Sequence, residues 1–141
     1  MISHIFTYPS SREVNDRVLD DLLRILSAGG VESDVVNGVC VAVSEAFTNA
    51  VIHGNLENPS KSVTLRLQVN DGEIIADIVD EGYGGVKQIE SRKPSTEYDE
   101  GGRGIDLIRH YADSYRLTET ESGGLKVSLR FLRTGKKIST T

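Results

Sequence analysis

"SEAFTNAVIHGN", Ser44 to Asn55, closes a longer stretch beginning at Val35 whose reading decides the fold. From Val35 to Gly54 the only formal charge is Glu45, followed by Asn49 and His53 at four-residue steps. Val36, Val39, Cys40, Val43, Phe47, Ala50 and Val51 share one broad face of a 100° wheel. A helix from about Ser33 to Gly54 is therefore expected, with that face on the core. Glu45, Asn49 and His53 fall roughly opposite. A solvated stripe of that length normally carries several Lys, Arg and Glu, whereas this one also holds Val41, Ala42, Ala46 and Ile52. Something is expected to cover this face as well. A covered carboxylate and amide need partners, because unpaired burial costs kilocalories. A metal ion with a phosphate, or a hydroxyl to deprotonate, would supply them. A plain solvated stripe is the alternative.

Outward from that helix, "ISHIFTYPS" alternates enough to be a first strand. "SSRE" offers a capping box, with Ser10 as N-cap and Glu13 three residues on. Val14, Val18, Leu22 and Ile25 then follow at helical spacing until Gly29 and Gly30 stop the helix. "SVTLRLQV" and "EIIADIVD" read as two strands joined by Asn70-Asp71-Gly72, a hairpin signal. From Glu81 to Gly104 periodicity disappears, and six glycines, one proline and many charges mark a long loop. "IDLIRHYAD" reads as a short helix, and "SYRLTETE" and "LKVSLRFL" as a last strand pair around Gly123-Gly124. Runs of strands with grouped helices predict an α+β fold: a two-layer sandwich of a mixed, mostly antiparallel sheet covered on one face by about three helices.

The chain has 141 residues, 38% hydrophobic and 26% charged, which suits one domain over residues 1–141 with a real core. A net charge of −5 disfavours nucleic acid and anionic membranes as partners. The five basic residues between Lys126 and Lys137 are explained by a solvated strand face and a short flexible tail at about 135–141. One cysteine, Cys40, excludes a disulfide scaffold or a Cys-based metal site. No continuous apolar run approaches 18 residues and "MISHIFTYPS" has no charged n-region, so a cytoplasmic location is expected.

Two further segments carry chemistry. In "DIVDEGYGG", Asp80 ends an apolar strand, with Gly82 and Gly84 two and four residues on. A carboxylate with glycines beside it can face a flat ring laid against the backbone, although the segment could also be only a turn. In "GGRGIDL", Gly101, Gly102 and Gly104 directly precede a helix start. Consecutive N–H groups and the helix dipole favour an anion there, and Arg103 could add a bidentate contact. No Walker A motif occurs, so phosphate binding would follow another design.

In this order and spacing the three segments resemble the N, G1 and G2 boxes of the GHKL (Bergerat-fold) ATPases, over nearly the whole chain. Size and the wording "SEAFTNAVIHGN" resemble most closely the small stand-alone bacterial anti-sigma-factor serine/threonine kinases. The resemblance implies ATP and Mg²⁺ as ligands. Asn49 would hold the Mg²⁺ that bridges the phosphates, and Glu45 would be the general base for the acceptor hydroxyl. Asp80 would accept the adenine amino group, with Gly82 and Gly84 letting the ring approach. Gly101, Gly102, Arg103 and Gly104 would cradle phosphates at the end of a lid over about 85–100. His53 is expected to pack or to contact the lid rather than to carry chemistry, and His4 and His110 read as structural or exposed. One departure is Leu125, after Gly124, where many relatives place a threonine that supports the aspartate; Thr118 or a water would substitute, or the purine would bind more weakly. The implied partners are a sigma factor and a STAS-type anti-anti-sigma protein, with a possible homodimer. The implied function is an ATP-dependent protein kinase and anti-sigma factor that phosphorylates a serine on the antagonist. The alternative is a non-catalytic ATP-binding module that acts by sequestration only.

Overall fold

The computed structural model describes residues 1–82 and 100–133, and for 100–105 the backbone alone. In chain order the elements are β1 (Ile2–Pro9), a 3-10 turn (Arg12–Val14), α1 (Asn15–Ala28) and α2 (Ser33–Asn49), which runs on into a π-helical turn (Ala50–Gly54). Then follow β2 (Ser62–Val69), β3 (Glu73–Val79), α3 (Glu100–Tyr111), β4 (Ser114–Glu119) and β5 (Leu125–Leu132). The strands form one sheet in the order β1-β2-β3-β5-β4, and every neighbouring pair is antiparallel. The expected mixed sheet is thus antiparallel throughout its described strands. β3 and β4 do run in the same direction, but β5 lies between them and pairs antiparallel with both. Two helices between β1 and β2 likewise return the chain reversed.

Strand alternation places the core. Val63, Leu65, Leu67 and Val69 of β2, Ile74, Ala76 and Ile78 of β3 and Val127, Leu129 and Phe131 of β5 are buried on one face. The helices cover that face. α1 contributes Val18, Leu22, Ile25 and Leu26, at the helical spacing expected, and α3 contributes Ile108. The β2–β3 hairpin closes as expected, because Asn70 accepts through Oδ1 from the N–H groups of Gly72 (3.1 Å) and Glu73 (2.9 Å).

The N-terminal cap differs from expectation. Ser11, not Ser10, accepts the Glu13 N–H, at 3.2 Å, and it caps the 3-10 turn that precedes α1. Ser10 cannot serve because it is buried under the end of β1, where its N–H donates to the Lys61 carbonyl.

The uncharged character of α2 now has a protein-internal cause. Ala42 and Ala46, expected opposite the core, are buried along with Val39, Val43 and Phe47, whereas Val36 and Cys40 are only half-buried. α2 is the middle helix, with α1 on one flank and α3 on the other. Gly38 faces α3, where a Cβ would make an ordinary contact with the Tyr111 ring at 3.4 Å. Ser33–Gly54 spans 22 residues and contains an 18-residue window of mean hydropathy 1.6, long and apolar enough by composition to cross a membrane. Packing of α2 against the sheet and two helices accounts for that composition. Its half-exposed residues include Val36, Cys40 and Val41 and, in its C-terminal half, the polar Ser44, Glu45, Thr48 and Asn49.

Candidate functional site

The end of α2 and the end of β3 meet. Asn49 is the last residue of α2 and half-buried. Asp80 follows β3 directly and is 4% exposed. Both line a narrow cleft whose other walls are apolar: Ala46, Ala50, Ile78, Ile108, Leu125 and Val127. Glu45 lies one helical turn before Asn49 and is also half-buried. Among the described residues neither side chain makes a hydrogen bond, so their polar atoms are available to a ligand. Asn49 and Asp80 are therefore brought together in one cleft, and Glu45 lies one turn away without lining it.

Asp80 is held by backbone. Its Oδ1 accepts from the Gly82 N–H at 2.9 Å and the Leu125 N–H at 3.0 Å. Its own N–H donates to the Leu125 carbonyl at 3.0 Å. Thr118, one expected substitute for the missing threonine, is exposed on β4, and the Leu125 main chain supports the carboxylate. The Leu125 side chain is left to wall the cleft. Three glycines let the backbones close around Asp80. A Cβ at Gly54 would overlap Asp80 Oδ2, one at Gly82 the Gly54 carbonyl, and one at Gly124 the Asp80 carbonyl. Of these, only Gly82 was singled out from the sequence; Gly54 and Gly124 are recognisable only once residues 54, 80 and 124 are known to touch.

Burial pushes the Asp80 carboxyl above the usual aspartate range, opposed by the Gly82 and Leu125 N–H groups and by the Lys61 ammonium. A raised carboxyl pKa means that folding favours the protonated form. That contribution to stability is fully present below the unfolded pKa and is lost as pH rises through the folded one. Asp80→Asn cannot ionise and keeps an oxygen for both N–H donors. Its urea midpoint at pH 7 is expected to equal or exceed that of the unmodified protein, with the difference shrinking as pH falls toward 4. A lower midpoint at pH 7 would show that the ionised carboxylate is the stabilised form.

The remaining predicted residues divide. Gly84 and residues 85–99 of the expected lid lie outside the described residues, as does the tail at 135–141. Gly101, Gly102, Arg103 and Gly104 were expected just before a helix; the helix instead starts at Glu100 and includes them. Of these, Gly101 and Gly102 lie in the first turn, where N–H groups have no partner within the helix and suit an anion, whereas Gly104 lies beyond it. His53 sits half-buried in the π-turn. His4 is exposed and stacks on Phe6, and His110 is exposed and packs edge-on to Tyr111.

In kind, the polar groups present suit a purine's amino group and a phosphate-bound cation, in a cleft that encloses about 10 Å³ in this structure. An apolar cleft ending in one buried carboxylate suits a flat ring that carries an amino group. Among the described residues no group of three or more His, Cys, Asp and Glu could hold a metal. A cation at Asn49 would therefore take most of its ligands from phosphate oxygens and water, which is the habit of Mg²⁺. A larger cavity of about 220 Å³ lies at the far end of α2 and α3, lined by Asp34, Gly38, His110, Tyr111 and Arg133 among others. It contains neither Glu45, Asn49 nor Asp80.

Comparison with known proteins agrees with this geometry. The model of the histidine kinase-like ATPase domain matches residues 9–131. The chain is 31% identical over 102 residues to the anti-sigma F factor of Heyndrickxia coagulans, with 69% of each chain covered. It is 33% identical over 99 residues to that of Oceanobacillus iheyensis, with 67% of each covered. Among solved structures, the RsbU and RsbW domains of a Mycobacterium tuberculosis protein superpose with a TM-score of 0.69 at 18% identity, over 94% of this chain and 33% of that one. The SiaB–SiaC complex of Pseudomonas aeruginosa gives 0.68 at 17% identity, over 92% of this chain and 88% of that one. At such identities the solved structures share the fold. The family match spans α1, α2, the Asn49–Asp80 cleft and the whole strand set from β2 to β5, and the chain belongs to the histidine kinase-like ATPase domain family.

Proposed function

We propose that this chain is an ATP-dependent serine/threonine protein kinase and anti-sigma factor, which binds a sigma-factor-like partner and phosphorylates a serine on a STAS-type antagonist. The observation that carries the reading is the meeting of Asn49 and Asp80 in one apolar cleft with Glu45 one turn away. The relatives named anti-sigma F factor support the choice of partner. ATP is the substrate, and Asn49 would hold a Mg²⁺ ion that would supply charge neutralisation on the phosphates. Asp80 accepts from the adenine amino group. Glu45 takes the proton of the serine hydroxyl as its oxygen bonds to the γ-phosphorus; the bond from that phosphorus to the bridging oxygen breaks, and ADP leaves. Gly101, Gly102, Arg103 and Gly104 contact phosphate. A cytoplasmic location and a homodimer belong to the same reading.

Glu45 separates a kinase from a module that only binds, because a base acts on the acceptor hydroxyl and adds little to nucleotide affinity. Positioned general bases contribute about 10²–10⁴-fold in rate. Glu45→Gln keeps the shape and cannot take a proton. The variant is expected to bind Mg-ATP nearly normally and to transfer labelled phosphate to a STAS-type protein at least ~10²-fold more slowly. Equal rates would place the base elsewhere. An unmodified protein that binds ATP and partner yet never transfers phosphate would establish the sequestering module instead.

A further inference from the structure

Asn55 is 1% exposed, and both ends of its amide are used. Its Nδ2 donates to the Ser62 carbonyl at the start of β2, at 2.9 Å, and its Oδ1 accepts from the Glu81 N–H at 2.8 Å. Its backbone N–H closes the π-turn on the Ala50 carbonyl, also at 2.8 Å. One buried side chain thus joins the end of α2, the start of β2 and the residue after Asp80.

The chain on either side of Asn55 is conformationally costly. The wide turn Ala50–Gly54 gives up α-helical hydrogen bonding. Leu56 and Glu57 then take φ of 53° and 58°, the left-handed region that side chains resist. No apolar burial offsets this, since Leu56 is 75% exposed. The Glu57 N–H on the Val51 carbonyl and the Arg12–Glu57 pair hold the segment from outside. Its one evident product is a placement: Gly54 lies directly against Asp80 Oδ2 and against Gly82.

We propose that Asn55 is a positioning residue for the Asp80 carboxylate, locking the 49–57 connector so that the two ends of the cleft keep a fixed spacing. The route is short. Asn55 fixes the peptide at Glu81, and the next N–H, that of Gly82, donates to Asp80 Oδ1. Freeing the Glu81 peptide lets that donor turn away, and freeing Gly54 removes the wall against Oδ2. A residue that merely stapled a loop would change stability and leave ligand discrimination intact. The inference rests on the proposed function only in taking Asp80 as the partner of the adenine amino group.

The test compares binding of ATP and of purine riboside triphosphate, which lacks that amino group, by calorimetry. The unmodified protein is expected to prefer ATP by about 10- to 100-fold, the worth of a hydrogen bond to a charged group. Asn55→Ala is expected to reduce the preference below about 3-fold, with Asn55→Ser as a second variant should alanine not fold. Val69→Ala, a buried change at the opposite end of β2, is the control for lost stability and should retain the preference. Full preference in either folded Asn55 variant, or equal loss in Val69→Ala, overturns the inference. The Asp80 carboxyl carbon, titrated by NMR without nucleotide, provides an arm independent of ATP. Its midpoint should rise further above that of an ordinary aspartate in Asn55→Ala or Asn55→Ser, because the Gly82 N–H that lowers it is lost, and stay in place in Val69→Ala; an unmoved midpoint in a folded Asn55 variant overturns the inference even if ATP binds. Failure of the unmodified protein to bind ATP, with the midpoint moved as expected, sinks the proposed function and leaves the positioning role supported.

Discussion

Asn49→Ala is expected to abolish Mg-ATP binding while leaving the protein folded. Asn49 ends α2, is half-buried and makes no side-chain hydrogen bond among the described residues, so its removal breaks no internal contact of its own. Alanine is the best helix former, and the position is helical. Stability should therefore change little. Mg²⁺ commonly keeps only one or two protein ligands, and in the proposed complex Asn49 is the direct one. Without it the triphosphate loses its neutralising link to the chain, which carries a net charge of −5. Calorimetry should detect no saturable binding at concentrations that saturate the unmodified protein. An unchanged affinity removes Asn49 from the site.

GTP is expected to bind about 10⁴-fold more weakly than ATP at neutral pH, the scale reached when a site built around a hydrogen bond meets a ligand that cannot make it. Guanine presents a carbonyl where adenine presents an amino group. Two oxygens would then face each other in a place where Gly54, Gly82 and Gly124 leave no room to step aside. Asp80 cannot turn away either, because Gly82 and Leu125 hold its Oδ1 from two directions. Burial raises the Asp80 pKa, so acid pH protonates this carboxyl before an ordinary aspartate. A protonated carboxyl can donate to a carbonyl, and the preference for ATP is expected to narrow as pH falls. Competition binding at pH 7 and pH 5 checks both parts. Equal affinities for ATP and GTP at pH 7 would remove Asp80 from purine recognition.

Much of this was legible in the residues. β2 and β5 alternate strictly, and their observed ends, Ser62–Val69 and Leu125–Leu132, coincide with those expected. The hairpin at 70–72 follows from the local chemistry of asparagine and glycine. Glu45, Asn49, Asp80 and Gly82 could be singled out because a polar residue breaking an apolar period is visible within a few positions of itself. The start of α3 was not, since three glycines disguised a helix that begins at Glu100.

Period, turn chemistry and the family resemblance are local or ordered along the chain, so the sequence alone determined the α+β class, the element order and the candidate site on α2 and after β3. Contacts between residues far apart in sequence depend on sheet order and helix placement, and these the tertiary structure decided. It buried Ala42 and Ala46 by setting α2 between α1 and α3, which explains a chargeless helix without a ligand. It put Leu125 beside Asp80 across the end of the sheet, so that main chain does the holding expected of a threonine or a water. It also brought Gly54, Asp80 and Gly124 into contact and buried Asn55 among three elements. No spacing encodes such a meeting, because it exists only after β5 has paired with β3 and the π-turn has folded back on both.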